Sequence, residues 1–169
     1  MRVVDLDVSE LSDLMDLVAV LQGLIARLAA SHATSPRLSA LEALIDRMDA
    51  IVAAKGPMNE QLRLPFEAGA AFREACGSRR AASIMTRVGR LAYRQHRHLL
   101  GAELSWRREA VTNSRRLHEM LSRGNPTASD RQAHIMVEHS KRNILKSLEQ
   151  SGRRLLPLPT CMESLAADV

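Results

Sequence analysis

The chain has 169 residues, 46% apolar and 25% charged, which fits one globular domain with a real core. Aromatic residues make up only 2%, too few for a β-sandwich core, an aromatic cage or a stacking platform for single-stranded nucleic acid. The net charge of +5 is uneven: residues 1–78 hold 7 Lys+Arg against 11 Asp+Glu, and residues 79–154 hold 17 against 6. A basic half suits nucleic acid, acidic ligands or an acidic partner surface, and equally a solvated Arg-rich face.

Apolar spacing of three and four predicts helices throughout. The first opens near Ser9, carries Leu11, Leu14, Leu17, Val18, Leu21, Leu24, Ile25 and Leu28 on one face, and ends at residues 32–36. The second runs from Pro36 to Lys55, with Leu38, Leu41, Leu44, Ile45, Met48, Ile51 and Val52 inward and Gly56-Pro57 as its stop. A third spans residues 58–76 and closes at Gly77, with Pro65 expected to kink or interrupt it. The fourth covers 79–100, loosened at Gly101, and the fifth covers 104–122, broken by Gly124-Asn125-Pro126. The sixth opens at Thr127 or Ser129, where Asp130 suggests a capping arrangement, and continues to Gly152.

These elements imply an all-α fold, an antiparallel bundle of six or seven helices. Residues 1–7 read as a junction, 8–152 as the helical domain and 153–169 as a Pro-containing tail. No apolar run approaches the ~20 residues of a membrane span, because Arg or Asp interrupts each candidate. Acids follow Met1 where a signal peptide needs an apolar centre, so a cytoplasmic protein without membrane contact is expected. Cys76 and Cys161 match no zinc or redox spacing and read as free thiols.

Catalytic signatures are absent: there is no Gly-rich phosphate loop, nucleophile elbow or His-Glu-x-x-His helix, so the chain reads as a non-enzyme. None of the six histidines (His32, His96, His98, His118, His134, His139) stands three or four residues from another, the spacing a helical metal site needs. Asp130 and His134 have that spacing, but a surface ion pair explains it as well. Arg87, Arg90, Arg94 and Arg97 recur at near-helical intervals, either to clamp a carboxylate or as solvent-facing charge.

Four stretches together resemble a known family. They are Leu11–Ala30 (LSDLMDLVAVLQGLIARLAA), Leu38–Gly56 (LSALEALIDRMDAIVAAKG), Phe66–Arg80 (FEAGAAFREACGSRR) and Asn113–Asn125 (NSRRLHEMLSRGN) followed by Ala133–Ser140 (AHIMVEHS). In order and interval they are similar to the effector-binding FCD domain of GntR-type transcription regulators of the FadR subfamily, over residues 8–150. The resemblance implies a winged helix-turn-helix ahead of this region, with residues 1–7 similar to the junction that follows the wing. It also implies DNA contact only through that domain, which this sequence lacks, together with a homodimer and a small-molecule effector.

Many members of the family hold a metal with an Asp, a His four residues later, a third His and a His in the last helix. Carried over, those positions fall at Pro65, Gly69, Ser114 and His139, so only His139 matches and no metal or other cofactor is expected. The family's Arg in the first helix falls near Val18. What remains implies a roomier, more apolar pocket for an organic or acyl acid, with His139, Ser114, Asn143, Tyr93 and Arg94 as its polar lining; a degenerate pocket filled by side chains is the alternative. A second reading is a helical interaction module that uses its basic face.

Overall fold

In the computed structural model, which describes residues 7–100 and 104–151, the chain forms six helices: α1 (Val8–His32), α2 (Ser35–Ala53), α3 (Met58–Ala75), α4 (Arg79–Leu100), α5 (Leu104–Ser122) and α6 (Pro126–Ser151). No strand occurs among the described residues. The order and approximate bounds follow the hydrophobic periodicity. The expected loosening at Gly101, most of the 1–7 junction, the tail and Cys161 lie outside the described residues.

Local chemistry explains where each end sits. α1 starts at Asp7 rather than Ser9. The Asp7 carboxylate accepts from the Glu10 amide at 2.7 Å, and the Glu10 carboxylate accepts from the Asp7 amide at 3.0 Å. This reciprocal box satisfies two backbone donors at once, which a lone serine cannot do. α2 ends at Ala53, and the left-handed residue after it is Lys55 (φ 49°), not Gly56. The Gly56 amide donates to Ile51 O and the Lys55 amide to Val52 O, the paired bonds of a Schellman turn. Gly56 is needed for space instead, since a Cβ there would crowd Ile51.

α3 passes through Pro65 without ending. α5 closes with Gly124 left-handed (φ 58°), as its sequence predicts. α6 begins at Pro126, one step before the predicted start, because the Asn125 side chain takes the capping bond from the Ala128 amide at 3.0 Å.

The core runs through every helix. Leu11, Ile25, Ile45, Leu64 and Ile144 are almost wholly buried, with Met15, Val18, Met48, Phe72, Met85, Leu117 and Val137 around them. α1 packs along α6 and also meets α3, α4 and α5, while α2 lies between α3 and α5. Two small features let α1 and α6 approach. Gly23 is buried against Asp130 and His134, with no room for a Cβ, and Lys141 reaches Asp16 across the interface.

This inner position accounts for a departure from the sequence expectation. α1 is long and apolar enough, by length and composition, to cross a membrane. An 18-residue average tolerates the two charges that break a continuous run. A helix packed on four others needs apolar side chains over much of its circumference, so the helix passes that test as a core element.

Candidate functional site

All six helices line one cavity of about 250 Å³ at the bundle's middle. α1 and α2 supply apolar wall through Met15, Val18, Leu41, Ile45 and Met48. α3 contributes Phe66 and Phe72, and α4 contributes Met85 and Ala92. Polar groups enter on two sides, with Arg73 and Arg90 from α3 and α4, and Glu109, Asn113, Ser114, His139 and Ser140 from α5 and α6.

On the α3–α4 side, Arg73 is half-buried and its guanidinium carbon lies 6.0 Å from the Phe66 ring centroid. Gly69, one turn earlier, leaves the place that Arg73 occupies: an ideal Cβ on Gly69 would stand 3.3 Å from Arg73 Nη1. Burial, and then the neighbouring Arg90 charge, hold the Arg73 guanidinium below its ordinary pKa, with Glu74 opposing. Among the described residues neither arginine forms an ion pair.

On the α5–α6 side, His139 Nδ1 stands 2.6 Å from Glu109 Oε1. A carboxylate only accepts, so Nδ1 carries the proton and donates, which leaves Nε2 for another partner. The second Glu109 oxygen accepts from Asn143 Nδ2 at 3.2 Å. One imidazole is thereby fixed in orientation at the cavity wall.

The residues singled out from sequence separate into groups. His139 and Ser114 line the cavity. Asn143 shares the His139 face but does not line it; it borders a smaller hollow of about 150 Å³ and reaches the site only through Glu109. Arg94 is exposed and outside the lining, and the side chain of Tyr93 lies outside the described residues. Arg87, Arg90 and Arg94 are all exposed, and of these Arg90 borders the cavity; the side chain of Arg97 lies outside the described residues.

Arg73, Glu109 and Asn113 went unmarked in the sequence reading, whereas Arg90 was named there within the Arg-rich set. A signal for two of them was present, since Arg73 is i+4 from Gly69 and Asn113 is i+4 from Glu109.

Pro65, Gly69, Ser114 and His139, together with Val18, all line this one cavity. Their chemistry does not fit a divalent cation. Proline and glycine offer no side-chain donor, serine offers a neutral hydroxyl, and the single imidazole is bound to Glu109. Among the described residues no group of three His, Cys, Asp or Glu converges. Elsewhere, His134 Nδ1 lies 3.2 Å from Asp130 Oδ1, with Arg27 paired to the same carboxylate, and the Cys76 thiol is buried and free.

Residues 13–139 match the FCD domain family. Two solved structures share the fold. The first is a GntR protein of Streptococcus agalactiae (20% identity, TM-score 0.65), with 78% of this chain and 58% of that one covered. The second is Lar, described as controlling expression of the Listeria monocytogenes agr system and mediating virulence (11% identity, TM-score 0.67), with 84% of this chain and 66% of that one covered. The chain thus spans less than two thirds of either structure's length. No curated protein sequence matches it.

Proposed function

The chain belongs to the FCD domain family, and from that premise we propose that it is the effector-binding and dimerisation domain of a GntR/FadR-type transcription regulator. In this reading it binds a small organic acid without a metal and performs no catalysis. The observation that carries the reading is the six-helix cavity with Arg73 and Arg90 at its wall, neither of them in an ion pair among the described residues.

A ligand bound there touches every helix, so it favours whichever arrangement of the bundle fits it and shifts the population toward that arrangement. DNA contact belongs to a winged-helix domain outside these residues, and the protein works in the cytoplasm. Homodimerisation is supported by apolar side chains left exposed on two adjoining helices, Leu17 and Val20 of α1 and Ile84 of α4.

Thermal unfolding with a panel of organic acids tests the sensing role. Binding at a hundred times Kd stabilises by about 2.7 kcal/mol, which raises the melting temperature by several degrees. A panel of acids, neutral analogues and amines that leaves the midpoint unmoved rejects an effector site.

A second reading rests on a different observation. Arg79, Arg80, Arg87 and Arg94 are all exposed on α4. A basic interaction face predicts association with an acidic protein or nucleic acid that weakens steeply with salt. Absence of any such association at low salt removes it.

A further inference from the structure

We propose that Met58 is a peroxide-sensitive modification site, whose sulfoxide is held by Arg107 and alters the cavity wall at Trp106. The inference stands apart from the effector-binding reading, since it concerns the start of α3 and needs no ligand in the cavity.

Two observations single out this methionine. Among the described residues Met15, Met48 and Met85 are buried and Met120 and Met136 are half-buried, whereas Met58 is 43% exposed. An oxidant in solvent must reach the sulfur lone pair, so Met58 meets it first. The second observation is its partner. Arg107 Nη1 donates to Met58 Sδ at 2.7 Å, which joins the first residue of α3 to α5, and Arg107 is itself buried.

Oxidation changes the character of that contact. The sulfur lone pair attacks one oxygen of hydrogen peroxide, the O–O bond breaks and an S–O bond forms. The departing hydroxide takes the proton left on the transferred oxygen and leaves as water, so sulfur is oxidised and the peroxide reduced by one electron pair. A thioether is a weak acceptor, whereas the sulfoxide is polar and its oxygen faces a permanently charged donor. The unbranched side chain turns about its own bonds to bring that oxygen to the guanidinium. Arg107 follows the stronger acceptor and holds it.

The same arginine carries the change inward. It borders a hollow of about 10 Å³ together with Met48, Gln61, Pro65 and Trp106, and those four residues also line the central cavity. Gln61 is anchored in turn to the α2–α3 connection, through its Nε2 donating to Gly56 O at 2.6 Å. Close packing leaves so small a hollow no slack, and a displaced guanidinium repacks its neighbours. Trp106 precedes Arg107 in the chain and is the sole tryptophan of the sequence, so its emission reports on this wall alone.

The test treats the full chain with graded hydrogen peroxide at neutral pH and follows two signals. Tryptic mass mapping reads oxygen added to residues 56–63, which contain Met58, and fluorescence reads Trp106. That peptide gains oxygen several-fold faster than those carrying the other five described methionines, and the Trp106 emission shifts at the same rate. Methionine sulfoxide reductases of both stereospecificities reverse the two signals together. Met58→Leu abolishes the shift. Met58→Gln, which sets an amide oxygen beside Arg107, reproduces the oxidised emission without peroxide. Arg107→Gln still gains oxygen at Met58 but shows no shift. Melting curves confirm that each variant is folded, and should Arg107→Gln not fold, the two exposed-site variants at Met58 decide the matter.

Oxidation of a buried methionine ahead of Met58 overturns the proposal. So does complete conversion of Met58 with the Trp106 emission unmoved, or a shift that persists in Met58→Leu.

Discussion

Gly23 sits where α1 and α6 are nearest, and an added methyl there would overlap the Asp130 carboxylate and the His134 ring. Two effects oppose each other in Gly23→Ala. The helix gains about 1 kcal/mol from the better helix former, and overpacking costs typically ~1–3 kcal/mol. The cost wins here, because Asp130 must swing away from Arg27 and His134 to make room. Chemical denaturation should show a net loss of about 1–2 kcal/mol, and the loss should shrink when Asp130→Ala is already present.

Lys55 offers the reverse case, a residue whose replacement improves the fold. Its φ of 49° lies in the left-handed region, where a Cβ meets the following carbonyl. Lys55→Gly removes that strain while keeping the Schellman bonds, and denaturation should show a gain of up to about 1 kcal/mol.

At the scale of helices, the N-terminus of α1 depends on Asp7. Asp7→Ala leaves the Glu10 amide without its acceptor, and a loss of about 1 kcal/mol is expected in thermal or denaturant unfolding. The same end shows what the sequence made legible and what it did not. The apolar stripe located the helix because 3.6-residue periodicity is imposed by the core. The starting residue was misplaced because Ser9 and Asp7 are both good caps, and the Glu10 partner three residues after Asp7 decides between them.

The ends of α2 and α6 differ from expectation for similar local reasons, a lysine accepting the strained turn and an asparagine capping first. The site divides along the same line. Val18, Pro65, Gly69, Ser114 and His139, placed by resemblance, converge because helix order and length fix which turns face the bundle centre. Arg73 and Glu109 eluded periodicity. Arg73 folds back over a glycine one turn away, and Glu109 is oriented by side chains of α6, neither of which spacing along one helix records.

For the molecule as a whole, two helices have a double role. α1 lines the cavity with Met15 and Val18 and leaves Leu17 and Val20 exposed on another side, while α4 lines it with Met85 and Thr86 and exposes Ile84. Packed interiors transmit displacement because they are dense, so a ligand that moves these helices moves whatever lies against their outer faces. If those outer faces pair two copies, the ligand adjusts the angle between protomers, which is the output a two-fold DNA-binding protein needs.

Placing charge on those faces, with Leu17→Glu and Ile84→Glu together, leaves two buried unpaired carboxylates in each copy of a dimer but only solvated ones in a monomer. Sedimentation should then show a dimer for the parent chain and a monomer for the double variant, with helicity retained. The consequence for binding is sharper. Coupling is reciprocal, so if ligand and dimer favour the same arrangement, the monomeric variant must bind the ligand more weakly although no cavity residue has changed. Unaltered affinity in a monomeric variant would separate the two roles of α1 and α4 and leave the cavity uncoupled from the outer faces of those helices.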